Sequence, residues 1–294
     1  MGSTSKTLMR LMTLTATGDL APESAICDIG ATQLFGDTFE TAAAFLDYYA
    51  ERSPKARNSS SVPEPELRAI AEGGFLGDLL TLAGFRYTAL DIFHATNTVL
   101  FDLNVHEPGP GLKGKFDLVL NLGTTEHVIN QLRAFQTIHD LVRVGGLIYH
   151  DLPLAGYLNH ALFRYDPLFF QTILPANDYQ TLLQEVTIGS PMKVPSDLQA
   201  MGFRMEQVTD IGIEVIVRRT NPSDFRVPLE ASTSLSIDPN FSQVGEDDLV
   251  MVPAGVSVNY GVASDLHHMS MAQLTKAWVG NFVRGLRRRT GVDS

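Results

Sequence analysis

The sequence predicts an α/β fold in which helices cover both faces of a doubly wound, mostly parallel sheet. Short apolar runs of strand length recur along the chain, and each ends in a polar or glycine-bearing turn. Segments with apolar residues at helical spacing separate several of these runs. Such alternation is typical of a parallel sheet whose crossovers are right-handed.

Five runs have the length and continuity of strands that are covered on both faces. They span residues 25–30, 87–91, 98–102, 116–121 and 146–150. Two later runs, 202–208 and 213–218, flank Asp210-Ile211-Gly212, and we interpret them as a terminal antiparallel β-hairpin. The sheet is therefore expected to have seven strands.

Helical periodicity predicts the elements that connect these strands. It covers residues 38–51, 64–83, 125–142, 167–174, 177–185 and 271–289. Gly84 and Gly145 follow two of these segments and mark their ends. Residues 31–66 lengthen the first crossover, and we predict that this insertion forms a helical lid with a polar loop at 52–65. The main domain is expected at 21–220, between an N-terminal extension (1–20) and a C-terminal extension (221–294).

Composition and charge argue against several classes of protein. The chain has 294 residues, 44% of them apolar, and a net charge of −11 that argues against broad nucleic-acid binding. Cys27 is the only cysteine, which excludes an intrachain disulfide and suits a reducing cytoplasm. No run approaches the roughly 18 apolar residues that span a bilayer, so we expect no integral membrane contact. The oligomeric state stays open, a homodimer being one option.

The residues at the strand ends are the first candidates for a site. Ligands of open α/β sheets bind at the carboxyl ends of the strands, where the strand order switches. Gly30 follows the first strand and allows close backbone approach to a ligand, while Asp91 and Asp102 end the second and third. Asn121-Leu122-Gly123 ends the fourth. Each signal also has a purely structural reading, as a turn glycine or a helix cap.

In this order, the motifs resemble those of class I S-adenosylmethionine-dependent methyltransferases. Asp28-Ile29-Gly30 is similar to their first motif, and residues 116–119, 142–147 and 202–203 are similar to parts of their later strands. The resemblance covers about residues 20–220 and implies a Rossmann-like fold with S-adenosyl-L-methionine as cofactor. The residues it places against the cofactor are Asp28, Gly30, Ala31, Gln33, Asp91, Asp102, Leu103, Asn121 and Gly123.

The sequence departs from that family in its first motif. Gly30 is followed by Ala31-Thr32-Gln33-Leu34, where the family usually shows further glycines. The acidic residue of such βαβ units usually follows about 20 residues after the glycine turn. Here Asp91 comes much later, and the inserted segment accounts for the gap.

Two polar pairs are the candidates for chemistry. Glu126-His127 follows the fourth strand, and His150-Asp151 ends the fifth. A histidine at the cleft would serve as general base with little pKa tuning, and a carboxylate would orient it. We therefore predict methyl transfer to a small-molecule or natural-product acceptor, at oxygen. In the structural reading, Thr124 or Thr125 caps a helix and Glu126 sits in its first turn.

Two other functions compete with this prediction. A nicotinamide oxidoreductase is disfavoured because Gly-x-Gly-x-x-Gly is absent. A binding or scaffold module that has lost the cofactor fits the glycine-poor first loop. We predict no metal site, since His150, Asp151 and His160 lack a tight ligand spacing. His267-His268 and the basic run 284–289 are expected on the surface.

Overall fold

The computed structural model describes residues 3–36, 38–202 and 204–228. The chain divides into two compact units, Met1–Pro228 and Leu229–Ser294. The predicted helix at 271–289, His267-His268 and the basic run 284–289 lie outside the described residues, as does most of the predicted C-terminal extension.

Seven strands form one sheet in the order β3-β2-β1-β4-β5-β7-β6. The pairs among β1 to β5 are parallel, while β7 is antiparallel to both of its neighbours. This confirms the predicted mostly parallel sheet with an antiparallel edge. The strands are β1 (Ala25–Ile29), β2 (Arg86–Asp91), β3 (Thr98–Leu100), β4 (Phe116–Leu122), β5 (Val142–Ala155), β6 (Tyr179–Lys193) and β7 (Gln207–Arg219).

The strand order reverses between β1 and β4. The chain first moves outward from β1 through β2 to β3, then returns to place β4 on the other side of β1. The connections that leave these two strands diverge, and this opens a crevice beyond their carboxyl ends.

Seven α-helices connect or flank the described strands, and two apolar clusters fill the space on the two faces of the sheet. Two short 3-10 turns, Ser59–Ser61 and Thr125–His127, accompany them. The helices are α1 (Ser5–Ala16), α2 (Phe39–Ala50), α3 (Glu64–Ala71), α4 (Leu76–Leu82), α5 (Gln131–Leu141), α6 (Pro167–Ala176) and α7 (Ser196–Ala200).

Two predicted helices are shorter than their periodicity indicates. The segment 64–83 is interrupted at Gly73, whose φ of +127° lies outside the helical region, and so forms α3 and α4. The segment 125–142 starts as a 3-10 turn, and α5 begins only after Asn130, whose side chain accepts a hydrogen bond from Arg133 N.

The predicted terminal hairpin has the wrong bounds. Residues 177–185, predicted as a helix, belong largely to β6, and Asp210-Ile211-Gly212 lies inside β7 instead of forming the turn. Leu182, Leu183 and Gln184 favour a helix locally. Ladder pairing from Tyr179 with Arg219 to Lys193 with Gln207 overrides that preference.

The N-terminal extension is also corrected, because α1 is part of the core. Leu8 and Leu11 are fully buried among the side chains of the larger apolar cluster. On the polar side of the helix, Lys6 and Arg10 form ion pairs with Glu214 of β7, whose side chain is fully buried. Tyr149 donates a further hydrogen bond to the same carboxylate.

The inserted helix α2 packs into the core instead of covering the cleft. Phe45, Leu46 and Tyr49 are fully buried in the cluster that also contains α1. The polar loop after it is tied down, since Ser59 donates two hydrogen bonds to Asp47. Of the helices described, none is both long and apolar enough to cross a bilayer.

Candidate active site

A cavity of about 410 Å³ lies at the carboxyl ends of β1, β2 and β4, beside the point where the strand order reverses. Its volume falls within the range of small-ligand sites. Of the residues predicted to contact a cofactor, the wall contains Gly30, Ala31, Gln33, Asp91, Asp102, Leu103 and Gly123.

The turn after β1 can only be built with glycine at position 30. Gly30 has φ +89°, and a Cβ there would lie 2.3 Å from Thr124 Oγ1. The turn after β1 and the turn after β4 therefore touch each other at the cavity.

Asp28 does not line the cavity, contrary to the prediction. Its carboxylate is fully buried and accepts hydrogen bonds from Thr32 N, Thr32 Oγ1 and Tyr87 Oη, each 3.0 Å long. Burial raises the pKa of Asp28 to about 7, and these hydrogen bonds oppose the rise. Asp28 thus stabilises the turn after β1 through its hydrogen bonds with Thr32, without lining the cavity.

This raised pKa predicts a specific pH dependence of stability. The native carboxyl keeps its proton up to about pH 7, whereas the unfolded one loses it near 3.8, so its contribution falls as pH rises between these values. Asp28→Asn lacks a titrating group there. We expect the stability difference between wild type and Asp28→Asn to shift by about 2 kcal/mol against wild type from pH 5 to pH 7.

Urea unfolding of both proteins at pH 5, 6 and 7 measures this difference, since the other titrating groups are common to the pair. Parallel stability curves would show that Asp28 is ionised throughout and would contradict the prediction.

Asp91 is held in place at the cavity wall by two backbone amides. Ala31 N donates to Oδ2 at 2.7 Å, and Phe93 N donates to Oδ1 at 3.0 Å. A carboxylate has about four acceptor sites, so both oxygens retain capacity for a ligand. Asp102 is fixed in a similar way, because Asn104 donates two hydrogen bonds to its Oδ1 and these lower the pKa of Asp102.

Aromatic residues at the cavity were not predicted from the sequence. Phe93 is 71% exposed and Phe35 is 49% exposed, and both line the cavity. Rings that stay exposed beside a crevice are suited to cover a planar ligand. The available signal was the position of Phe93, two residues after the acid that ends β2.

Asn121 and His150 lie behind the cavity wall and not in it. His150 is 4% exposed, packs against the rings of Phe135 and Phe170, and its Nδ1 lies 3.0 Å from Asn121 Nδ2. Burial lowers the pKa of His150 to about 3. Asn121 also donates to Thr125 Oγ1. These two predicted site residues therefore support the turn after β4, and His150 is not placed to act as a base.

Asp151 also lies away from the cavity. It sits opposite Glu214 in the ladder between β5 and β7, on the side of the charged groups of α1. Burial raises the pKa of Asp151 to about 6, and the charge of Lys6 opposes that rise.

Of the predicted pair Glu126-His127, His127 lines the cavity, whereas Glu126 does not. Glu126 is fully buried, and neither carboxylate oxygen has a hydrogen-bond partner among the described residues. Burial, and secondarily the charge of Asp151, raises the pKa of Glu126 to about 7.

A third polar side chain, His160, reaches the same place from the loop after β5. The ring centroids of His127 and His160 are 5.2 Å apart, and one ligand atom each from Glu126, His127 and His160 lies within 4.8 Å of the others. Tyr157 and Asn159 in this loop have φ of +46° and +56°, an uncommon conformation for such residues. This trio differs from His150, Asp151 and His160, for which the sequence analysis predicts no metal site.

His160 also lines a second cavity of about 290 Å³. Its wall is largely apolar but includes the polar side chains of Asn159, Lys193 and Asp210. His127 faces the first cavity and His160 the second, so the trio separates the two spaces.

Comparison with known proteins gives a family match for part of the chain. Residues 70–195 match the model of a methyltransferase domain. Among curated proteins, none is similar enough in sequence to count as a relative.

Several solved structures are similar in fold. A 1,6-didemethyltoxoflavin N1-methyltransferase from Burkholderia thailandensis is 13% identical, with a TM-score of 0.37 over 73% of this chain and 78% of that one. A SAM-dependent methyltransferase from Archaeoglobus fulgidus is 12% identical, with a TM-score of 0.38 over 72% and 92%. The YcgJ protein from Bacillus subtilis is 13% identical, with a TM-score of 0.39 over 72% and 100%.

The family match covers β2 to β6, and the sheet that contains these strands has the mostly parallel order with an antiparallel edge described above. Over residues 70–195, the chain is similar in sequence to a methyltransferase domain.

Proposed function

We propose that this protein transfers a methyl group from S-adenosyl-L-methionine to an oxygen atom of a small-molecule acceptor. The observation that carries the proposal is the arrangement of the cavity, in which two fixed carboxylates and a glycine turn meet where the strand order reverses. The second cavity, which His160 lines, offers room for the acceptor.

The residues of the cavity fit the cofactor in their chemistry. Asp91 offers acceptor capacity to the two ribose hydroxyls, and Asp102 offers an oxygen to the adenine amino group. Leu103 and Phe93 provide apolar surface for the adenine ring. The turn from Gly30 to Gln33 approaches the methionine part. When bound, S-adenosyl-L-methionine supplies an electrophilic methyl group on its sulfonium.

The chain's own part in the reaction is to align the acceptor and manage its proton. A hydroxyl becomes a good nucleophile only as its proton leaves. The turn after β4 carries both Glu126 and His127, and His127 lines the first cavity, so we assign this pair to the acceptor's hydroxyl. Burial of Glu126 excludes water from that side of the group.

Calorimetric titration with S-adenosylhomocysteine tests the proposal most directly. We expect one binding site per chain and a higher melting temperature in the presence of the ligand, because a ligand that binds only the native state stabilises it. Absence of binding at millimolar ligand would favour the scaffold function, which the glycine-poor first turn otherwise supports. With an acceptor in hand, the carbon chemical shift of a ¹³C-methyl product distinguishes oxygen from nitrogen.

A further inference from the structure

In the cluster of Glu126, His127 and His160, the carboxylate of Glu126 has, within the described part of the chain, no group that balances its charge. Glu126 is fully buried, yet its two carboxylate oxygens have no hydrogen-bond partner among the described residues. A buried carboxylate without a partner is unfavourable by several kcal/mol unless it is neutralised or paired with a cation.

The groups that surround this carboxylate are metal ligands. One ligand atom each from Glu126, His127 and His160 lies within 4.8 Å of the other two. Ligand atoms around a tetrahedral ion with bonds of about 2.0–2.1 Å lie about 3.3 Å apart. The gap of about 1.5 Å is within reach of rotamer changes, because both histidines are largely exposed.

The donor types select the class of ion. Two imidazoles with one carboxylate suit zinc and its transition-metal neighbours, whereas magnesium and calcium prefer oxygen ligands. Three protein ligands leave a tetrahedral ion with one open position, as in catalytic zinc sites. Here that position would face a boundary between two cavities, since His127 lines one and His160 the other.

We propose that Glu126, His127 and His160 bind one divalent transition-metal ion of the zinc class, whose open position takes the oxygen of the methyl acceptor. The ion balances the buried carboxylate. It would polarise an acceptor hydroxyl bound at the open position and so favour the loss of its proton. The role of the ion in catalysis rests on the function proposed above, whereas its binding does not.

Metal binding is measurable without any acceptor. The full chain, first treated with a chelator, is dialysed against Zn²⁺ or Co²⁺, and the bound ion is counted. We expect one ion per chain and a Co²⁺ absorption spectrum typical of four-coordination. Loss of an outer-shell partner of a metal site lowers the affinity by up to about 100-fold. Because Glu126 and His160 are proposed as direct ligands, Glu126→Gln and His160→Ala should each lower Zn²⁺ affinity by that upper value, about 100-fold. His94→Ala, an exposed histidine outside the trio, should bind like wild type.

His160→Ala keeps the test valid if Glu126→Gln fails to fold, because His160 is exposed. Stoichiometric binding of Mg²⁺ but not Zn²⁺ would overturn the proposal, as would unchanged Zn²⁺ affinity in His160→Ala. Titration with S-adenosylhomocysteine on the same samples separates the two proposals. Cofactor binding without the ion refutes the metal site alone, and ion binding without cofactor refutes the methyl-transfer function alone.

Discussion

Replacement of Asp91 by alanine is expected to weaken S-adenosylhomocysteine binding about 100-fold. Hydrogen bonds to a charged group contribute about 1.5–3 kcal/mol each, and the ribose offers two hydroxyls to this carboxylate. The same substitution frees Ala31 N, which donates to Asp91 at 2.7 Å and positions the first turn. Both losses act in the same direction. Calorimetric titration of the variant gives the dissociation constant directly.

Asp166→Asn is the matched control for this measurement. Asp166 caps α6 by accepting from Leu168 N, and asparagine caps a helix equally well, so the variant loses one carboxylate without losing its fold. We expect its affinity for S-adenosylhomocysteine to equal that of wild type. An Asp91→Ala protein that still binds within a few-fold of wild type would show that the cofactor does not use this acid.

Replacement of His127 by alanine is expected to lower the single-turnover rate of methyl transfer about 100-fold or more. Loss of a group that activates the hydroxyl of the acceptor, directly or through a bound ion, has an effect of this size. His127 lies on the wall between the two cavities, so the loss should leave S-adenosylhomocysteine affinity nearly unchanged. The measurement requires an identified acceptor and a rapid-quench assay in which enzyme exceeds acceptor.

His150→Gln serves as the contrasting variant for this prediction. His150 is buried behind the turn and does not line the cavity, so its replacement should lower thermal stability more than it lowers the rate of the chemical step. A near-normal rate in His127→Ala would mean that the protein works by alignment of an acceptor that is already nucleophilic.

The strand ends on one side of the site could be predicted from sequence because local signals mark them. Gly30, Asp91 and Asp102 each follow a short apolar run directly, and all three lie on the cavity wall in the structure. The exposed Phe93 was missed because an aromatic residue after a strand usually signals packing, and only the three-dimensional crevice shows that it stays uncovered.

The opposite side of the site could not be predicted, since it depends on where β5 ends. The apolar run stops at His150, but pairing with β7 extends the strand to Ala155. His150 and Asp151 therefore lie within a ladder, where pleating directs their side chains to opposite faces of the sheet. His160 reaches the site through a loop in which Tyr157 and Asn159 have positive φ. The tyrosine in particular gives no sign of that backbone conformation in the sequence.

The ion pairs of α1 set a constraint on the order of events during protein synthesis. Arg10 and its partner Glu214 are 204 residues apart in the chain. At typical elongation rates, roughly 10 to 40 s pass between the emergence of the two residues from the ribosome. During that interval Leu8 and Leu11 can pack against α2, while Lys6 and Arg10 still face solvent. A ribosome-bound nascent chain that ends before β7 lacks Glu214, the carboxylate that pairs with Lys6 and Arg10 of α1. The contacts between α1 and β7 therefore form only after most of the chain has been made.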